Sequence, residues 1–267
     1  MTDSSILYNS IGTGYNSTRR ADPYITQKLF KFLSPQPNGL YLDIGCGTGN
    51  YTIALADMGL NFVGVEPSEK MLRVAGDKND KVSWLLAGAE QIPVDDNLFD
   101  GAIATLTIHH WTDIEKAFTE IYRVLKHGGK MVLFTALPQQ MKGYWLNHYF
   151  PKMLEASILQ MPSFDMIKDA ADAAGFVICA TDKYFISDDL EDLFLYSGKN
   201  KPELYLDAAI RKGISSFSAL ANAEEVEDGL LKLQGDLDTG RFKDIKEKYD
   251  NDLGDYMFII AEKKITC

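Results

Sequence analysis

The chain has 267 residues, 46% of them hydrophobic and 24% charged, and carries a formal net charge of −11 at pH 7. That length allows a sizeable core, either in one large domain or in a domain with an insertion. The acidic balance disfavours a phosphate backbone as partner, so no nucleic acid is expected, although the Arg19–Arg20 pair could hold a small anion. There is no run of 18 apolar residues to suggest a membrane span, and the first residues lack the basic start and apolar stretch of a secretory signal. Cys46, Cys179 and Cys267 lie far apart without CxxC spacing, which points to a reducing, cytoplasmic setting rather than disulfides or zinc.

In chain order, a polar, glycine-containing segment runs to about residue 20. DPYITQKLFKFL then places Ile25, Leu29, Phe32 and Leu33 at helical spacing, and SPQPNG ends that helix. Strands and helices alternate from there. LYLDI (40–44) reads as a strand entering a glycine cluster, and NYTIALADMG as a helix closed by Gly59. NFVGVE (61–66) is strand-like, and SEKMLRVAGD is a helix with Ser68 as its N-cap. VSWLLAG (82–88) and FDGAIATLT (99–107) are predicted strands. DIEKAFTEIYRVL is a helix with Ile114, Phe118, Ile121 and Leu125 on one face, and KMVLFTALP is another strand. This rhythm predicts an α/β fold, a doubly wound, mostly parallel sheet with helices on both sides.

After Pro138 the rhythm slows. MKGYWLNHYFPKMLEASILQM is aromatic-rich and helical, SFDMIKDAADAAGF is a helix ending at Gly175, and VICATDKYFIS is a strand. Residues 188 to about 250 are polar and largely helical, and DYMFIIAEKK closes the chain as a buried strand. A long helical stretch before a last strand predicts an inserted cap rather than a second domain. The expected parts are a core at about 36–136, 175–187 and 255–264, an N-terminal lid at 1–34, and a cap at about 138–170 and 188–250.

The most informative stretch is YLDIGCGTGNYT. A strand runs into Gly45, Gly47 and Gly49, and a helix follows, so a ligand can approach the backbone near a helix N-terminus. The dinucleotide fingerprint GxGxxG would need its third glycine at position 50, which is Asn50. LDIGCGTG resembles the first motif of the class I S-adenosylmethionine-dependent methyltransferases, especially the methyltransferase type 11 subgroup that contains the ubiquinone and menaquinone C-methyltransferases. The resemblance runs motif by motif over roughly residues 38–136 and implies a seven-stranded Rossmann-like sheet, S-adenosyl-L-methionine as cofactor and a methyl transfer reaction.

The resemblance also implies site residues. Asp43 and the turn Gly45, Cys46, Gly47 and Gly49 would hold the methionine part of the cofactor. Glu66, 21 residues after Gly45, would accept the ribose hydroxyls. AGAEQIPVDDNLFD resembles the family's third motif, with Gly88 where an aspartate often binds adenine. Adenine contacts are therefore expected from the backbone of Ala89, from Glu90 beside it, and from packing by Pro67 and Ile92. Thr105, in the fourth strand, joins the cofactor set, while Asp100 is expected to be structural. IYRVLKHGGKMVLFT resembles the turn into the fifth strand, with His127 at the surface. YNSTRRADPYI matches a tyrosine- and arginine-bearing segment that folds over the cofactor in relatives, which implicates Tyr15 and Arg19. Arginine's planar fork suits a carboxylate, so Arg19 or Arg20 could instead grip an acidic substrate.

In the cap, Tyr144, Trp145, His148, Tyr149 and Phe150 are mostly expected to be packing, with Tyr144 and His148 kept as substrate-side candidates. LTIHHWTD places His109 and His110 at the end of the fourth strand. A metal needs more ligands than this pair, and successive strand residues point to opposite faces, so no metal is expected. One ring should face the gap between cofactor and substrate, His110 in preference to His109, as the candidate catalytic residue that shapes the pocket or bonds the acceptor, with general-base action the lesser role, and the other should pack inward with Trp111. Two alternatives stay open: a methyltransferase-like protein that binds the cofactor without chemistry, and an NAD-dependent Rossmann oxidoreductase. The acceptor, expected to be a small molecule, could react through carbon, oxygen or nitrogen.

Overall fold

The computed structural model describes residues 18–264. Tyr15, the lid up to residue 17 and Cys267 lie outside the described residues. Helix α1 (Pro23–Leu33) starts where the Asp22 carboxylate accepts the Ile25 N–H at 2.9 Å and Pro23 fills the first helical position. Strand β1 (Leu40–Ile44), helix α2 (Asn50–Asp57), strand β2 (Asn61–Glu66), helix α3 (Glu69–Lys78) and strand β3 (Ser83–Leu86) follow, in the predicted rhythm. Strand β4 (Phe99–Thr105) leads through a short 3-10 turn at Ile108–His110 to helix α4 (Ile114–Val124) and strand β5 (Leu125–Thr135).

Three short helices come next: α5 (Pro138–Lys142), α6 (Leu146–Tyr149) and α7 (Pro151–Leu159). Helix α8 (Phe164–Ala174) and strand β6 (Phe176–Tyr184) then return to the sheet. Between β6 and the last strand β7 (Tyr256–Lys263) lie helices α9 (Ala208–Lys212), α10 (Ala223–Asp238) and α11 (Phe242–Lys248), with shorter turns between them. No helix among the described residues is long and apolar enough to cross a membrane.

The seven strands lie in the order β3-β2-β1-β4-β5-β7-β6. Neighbours from β3 to β5 are parallel, and β7 runs antiparallel to both β5 and β6. The order reverses at β1 and β4, and ligands bind at the carboxyl ends of strands flanking such a switch point. One face of the sheet is covered by α1, α2 and the cap, in a core that includes Leu29, Leu55, Phe134, Trp145 and Phe258. The other is covered by α4 and α8 through Phe118, Ile121, Ile167 and Ala171. Helix α8 thus belongs to the sheet, which corrects the cap boundary near residue 170: its apolar stripe meets α4, on the face away from the cap.

One other expectation shifts. The strand through KHGGKMVLFT begins at Leu125 and passes His127, and a break in its register with β4 falls between Phe99 and Gly101. His127 stays at the surface, with Nδ1 3.0 Å from the Lys264 carbonyl. Asp100 is structural as expected, accepting the Leu40 N–H at 2.9 Å and pairing with Lys126.

Lys263 is a buried cation that neither charge nor spacing announced. Its ammonium donates to the Tyr122 and Leu125 carbonyls at 2.7 and 2.6 Å and to Asn97 Oδ1 at 2.9 Å. It therefore ties the last strand to the corner between α4 and β5. Lys263→Met leaves three acceptors without their donor and is expected to cost about 2–4 kcal/mol. A fall in the urea midpoint at unchanged m-value checks this.

Candidate active site

The turn after β1 is left-handed three times over, with φ of 66° at Gly45, 56° at Gly47 and 77° at Gly49. At Gly45 a Cβ would sit 2.0 Å from Thr107 Oγ1, and at Gly49 2.5 Å from the Trp84 ring. Glycine is required at both places, once by the backbone and again by its neighbours. The N–H groups of Gly45 and Cys46 donate to the Val65 carbonyl, so the turn is fastened to β2. Asn50, the residue that breaks the dinucleotide fingerprint, has a task of its own: its amide donates to the Arg19 carbonyl at 3.1 Å and accepts from Lys78 at 2.8 Å.

A cavity of about 240 Å³ opens beside this turn. Asp43, Gly45, Cys46 and Gly47 form its floor, and Glu66, Pro67 and Met71 form one side. Gly88, Ala89, Glu90 and Thr105 form another, completed by His110, Trp111 and Thr112. Most of the cofactor set expected from the sequence is therefore assembled in one place. Gly49 stands behind the turn, against Trp84, rather than on the cavity. Ile92 is also set back, buried in the core under α4, while Met71, which was not among the expected residues, lines the cavity.

Two carboxylates sit deep in this cavity. Glu66 holds the turn in place, with Oε2 accepting the Gly47 N–H at 3.1 Å and Oε1 accepting the Ser68 N–H at 2.9 Å. Burial raises its pKa, and those two hydrogen bonds pull it back. Asp43 accepts the Thr52 hydroxyl at 2.6 Å; burial pushes its pKa up to about 7, against that hydrogen bond, and the Glu66 charge adds to the rise. Burial likewise keeps the Cys46 thiol protonated. Glu90, expected near a base, accepts the Thr112 N–H at 2.6 Å and the Thr112 hydroxyl at 2.9 Å, so it also organises the entry to α4.

Arg19 reaches the site from the N-terminal side and is met by Asp192, 173 residues away. Arg19 Nε lies 2.5 Å from Asp192 Oδ1 and Nη2 lies 3.2 Å from Oδ2. Tyr51 adds a hydroxyl at 3.1 Å to the same carboxylate, which is only 1% exposed. Arg20 points outward, exposed and away from the cavity, so the structure does not place it at a substrate. Asp192 was invisible to sequence reasoning because it lies in a polar loop with no motif around it.

A second cavity, of about 80 Å³, lies on the other side of Arg19 and Leu106, which line both. Leu106 is left-handed, with φ of 54°, where a side chain is ordinarily disfavoured. The second wall is mostly apolar and comes from the end of β5 (Thr135, Ala136), from α5 and α7 (Met141, Ser157), and from Phe194 and Ile214. The histidine pair straddles the divide, His110 on the first cavity and His109 on the second, with ring centroids 3.8 Å apart. The pair sits in a 3-10 turn rather than a strand, so alternation of faces is not what separates the rings. Burial pushes His110 down to about 4 and His109 well below its ordinary value, so both rings are neutral at pH 7. Trp111 lies beside His110 on the first cavity and packs edge-on against Phe118. No cluster of metal ligands occurs among the described residues.

The cap aromatics are packing. Tyr144 is 1% exposed, stacks on Tyr196 at 3.9 Å and donates its hydroxyl to the Asp255 carbonyl. His148 sits edge-on to Tyr149. Neither lines either cavity, which corrects their assignment to the substrate: Tyr144, just before α6, is buried against Tyr196 inside the cap, and His148 on α6 packs against Tyr149.

Residues 42–133 match a family model described as a methyltransferase domain. A solved protein from Anabaena variabilis, described as a methyltransferase from an antibiotic biosynthesis pathway, is 35% identical. The likeness covers 91% of this chain and 98% of that one, with a TM-score of 0.81. The chain belongs to the S-adenosylmethionine-dependent methyltransferases. A methyltransferase of Mycobacterium tuberculosis whose activity is uncharacterised is 36% identical over 124 residues, or 46% of this chain and 51% of that protein. A demethylmenaquinone methyltransferase of Clavibacter sepedonicus is 30% identical over 139 residues, 48% of this chain and 56% of its own. The chain thus spans about half the length of the curated relatives it matches. Its family cofactor is S-adenosyl-L-methionine, which sets aside the NAD-dependent reading.

The residues present fit that cofactor. The turn carries no side chain where Thr107 and Trp84 already fill the space, and two acids sit in the adjoining cavity. Two residues on its wall, Thr105 and Trp111, have buried polar atoms that find no partner among the described residues. Asp43 provides a test. Its raised pKa means that folding favours its protonated form; that contribution is complete below the ordinary carboxylate range and is lost as pH rises through about 7. A cationic ligand favours the ionised form instead, so binding of S-adenosylmethionine releases a proton. Affinity is expected to rise about tenfold from about pH 6 to about pH 8, and Asp43→Asn to flatten the profile. Calorimetry in buffers of different ionisation heat checks both.

Proposed function

We propose that this methyltransferase transfers a methyl group from S-adenosylmethionine to a small molecule held between the sheet edge and the helical cap. The observation that carries this reading is the pair of cavities that share only Leu106 and Arg19 as common walls. On this reading the first cavity holds the cofactor and the second the acceptor. Asp43 and the turn at Gly45–Gly47 would take the amino acid part. Glu66 would take the ribose diol, since each of its oxygens accepts one N–H and retains a lone pair. Pro67, Met71 and Ala89 would flank the base.

When bound, the cofactor supplies a methyl carbon made electrophilic by its sulfonium. The protein's part is alignment and the exclusion of water. Leu106 sets the boundary between the two compartments, and the Arg19–Asp192 pair closes the same boundary from the N-terminal side. His109, rather than His110, faces the acceptor, and both neutral rings leave the gap without added charge. Arg19 serves the boundary with its charge already matched by Asp192, which weighs against its acting as the clamp for an acidic substrate.

The test is direct. The full chain is expected to bind labelled S-adenosylmethionine and not NAD, and to release S-adenosylhomocysteine when a suitable member of an acceptor panel is added. Glu66→Ala is expected to weaken cofactor binding at least about tenfold, the loss of two charge-assisted hydrogen bonds. Unchanged affinity in that variant would remove Glu66 from the site. Cofactor binding with no product across a broad panel would favour a binder without chemistry.

A further inference from the structure

We infer that the acceptor compartment selects an uncharged molecule: a small, largely apolar body with neutral hydrogen-bonding capacity. This rests on the reading of the second cavity as the acceptor site and adds the chemical class that the site takes.

The argument is a charge balance around a low-dielectric wall. Among the described residues lining the second cavity, Arg19 is the one ionised side chain, and its guanidinium is met through Nε and Nη2 by Asp192. Asp192 lines the first cavity but not the second, so its charge is spent on Arg19 from outside the compartment. The remaining titratable neighbours are His109, which faces the compartment, His110 behind it and the Tyr256 phenol on the far wall. Burial holds both histidines neutral and keeps the Tyr256 phenol protonated. An anion entering here would lose its hydration and find its only cation already paired. A cation would find no carboxylate on the wall. Desolvating a charge without a partner costs far more than desolvating a neutral polar group.

The rest of the wall says what is accepted. Met141, Met161, Phe194 and Ile214 offer apolar contact, and methionines adapt to irregular shapes. Polar capacity comes from the Ser157 and Ser216 hydroxyls, whose oxygens lie 2.9 Å apart, from Gln160 and Ser215, and from His109 Nδ1, which is buried and has no hydrogen-bond partner among the described residues. The space of about 80 Å³ is smaller than the roughly 150 Å³ apolar cavity that takes benzene in an engineered protein, so the body is small.

The experiment uses three probes of one shape and different charge: isobutanol, isobutyrate and isobutylammonium. Each is titrated by saturation-transfer NMR into the full chain with S-adenosylhomocysteine present. Isobutanol is expected to bind at least about tenfold more tightly than either ion. Met161→Trp, which fills the compartment, should abolish that binding while leaving cofactor affinity intact. Asp192→Asn uncovers the Arg19 charge and should reverse the preference toward isobutyrate, with a thermal melt and the circular-dichroism spectrum reporting that the variant is folded. Binding that ignores charge, a charged probe preferred by the unmodified chain, or no binding by any of the three overturns the inference. Failure of the chain to bind S-adenosylmethionine would instead overturn the reading of the first cavity, so the two failures are told apart.

Discussion

The site depends on a backbone that must turn left-handed three times within five residues. Thr107 and Trp84 press on that turn from two sides, so it can be made only where there is no side chain, and the Glu66 carboxylate then locks it by accepting the Gly47 N–H. The consequences reach outward. Because the turn is fixed to β2 through Val65, the first cavity has a rigid floor. Because Glu66 also accepts the Ser68 N–H, the start of α3 is registered to the same floor. Ligand geometry here is set by the main chain, which is less easily displaced than a side chain on a loop.

The opposite wall is assembled differently. Arg19 and Asp192 lie 173 residues apart in the chain, and Tyr51 and Asn50 on α2 hold them together through the Asp192 carboxylate and the Arg19 carbonyl. A buried ion pair of this kind is weak evidence for stability, because desolvation offsets the attraction. Its value lies in placement: it brings the insert before the last strand against the segment before α1, at the boundary that both cavities share.

Much of this was legible in the sequence. The alternation of elements gave the sheet, and the residues on the carboxyl edge, from Asp43 through Glu66 to Ala89, fall together because each lies at or just beyond the carboxyl end of a strand. Legibility ended where contacts span long separations. Asp192, Phe194 and Ile214 line cavities from a segment without periodicity or motif, and nothing local distinguishes them from solvated loop residues. Tyr144 and His148 show the converse. An aromatic at helical spacing looks the same whether it walls a pocket or fills a core, and only their packing partners, Tyr196 for Tyr144 and Tyr149 for His148, decide that these two belong to the cap itself. The histidine pair was placed correctly along the chain, but the 3-10 turn, not strand alternation, determines which cavity each ring meets.

Leu106 has a consequence for how this chain can change. A left-handed backbone at a residue with a full side chain costs about 1–2 kcal/mol, and glycine would remove that cost. Glycine would also remove the wall between the two compartments. Stability and compartment separation therefore pull in opposite directions at this one position, so a search for hardier variants and a search for selective ones would part company here.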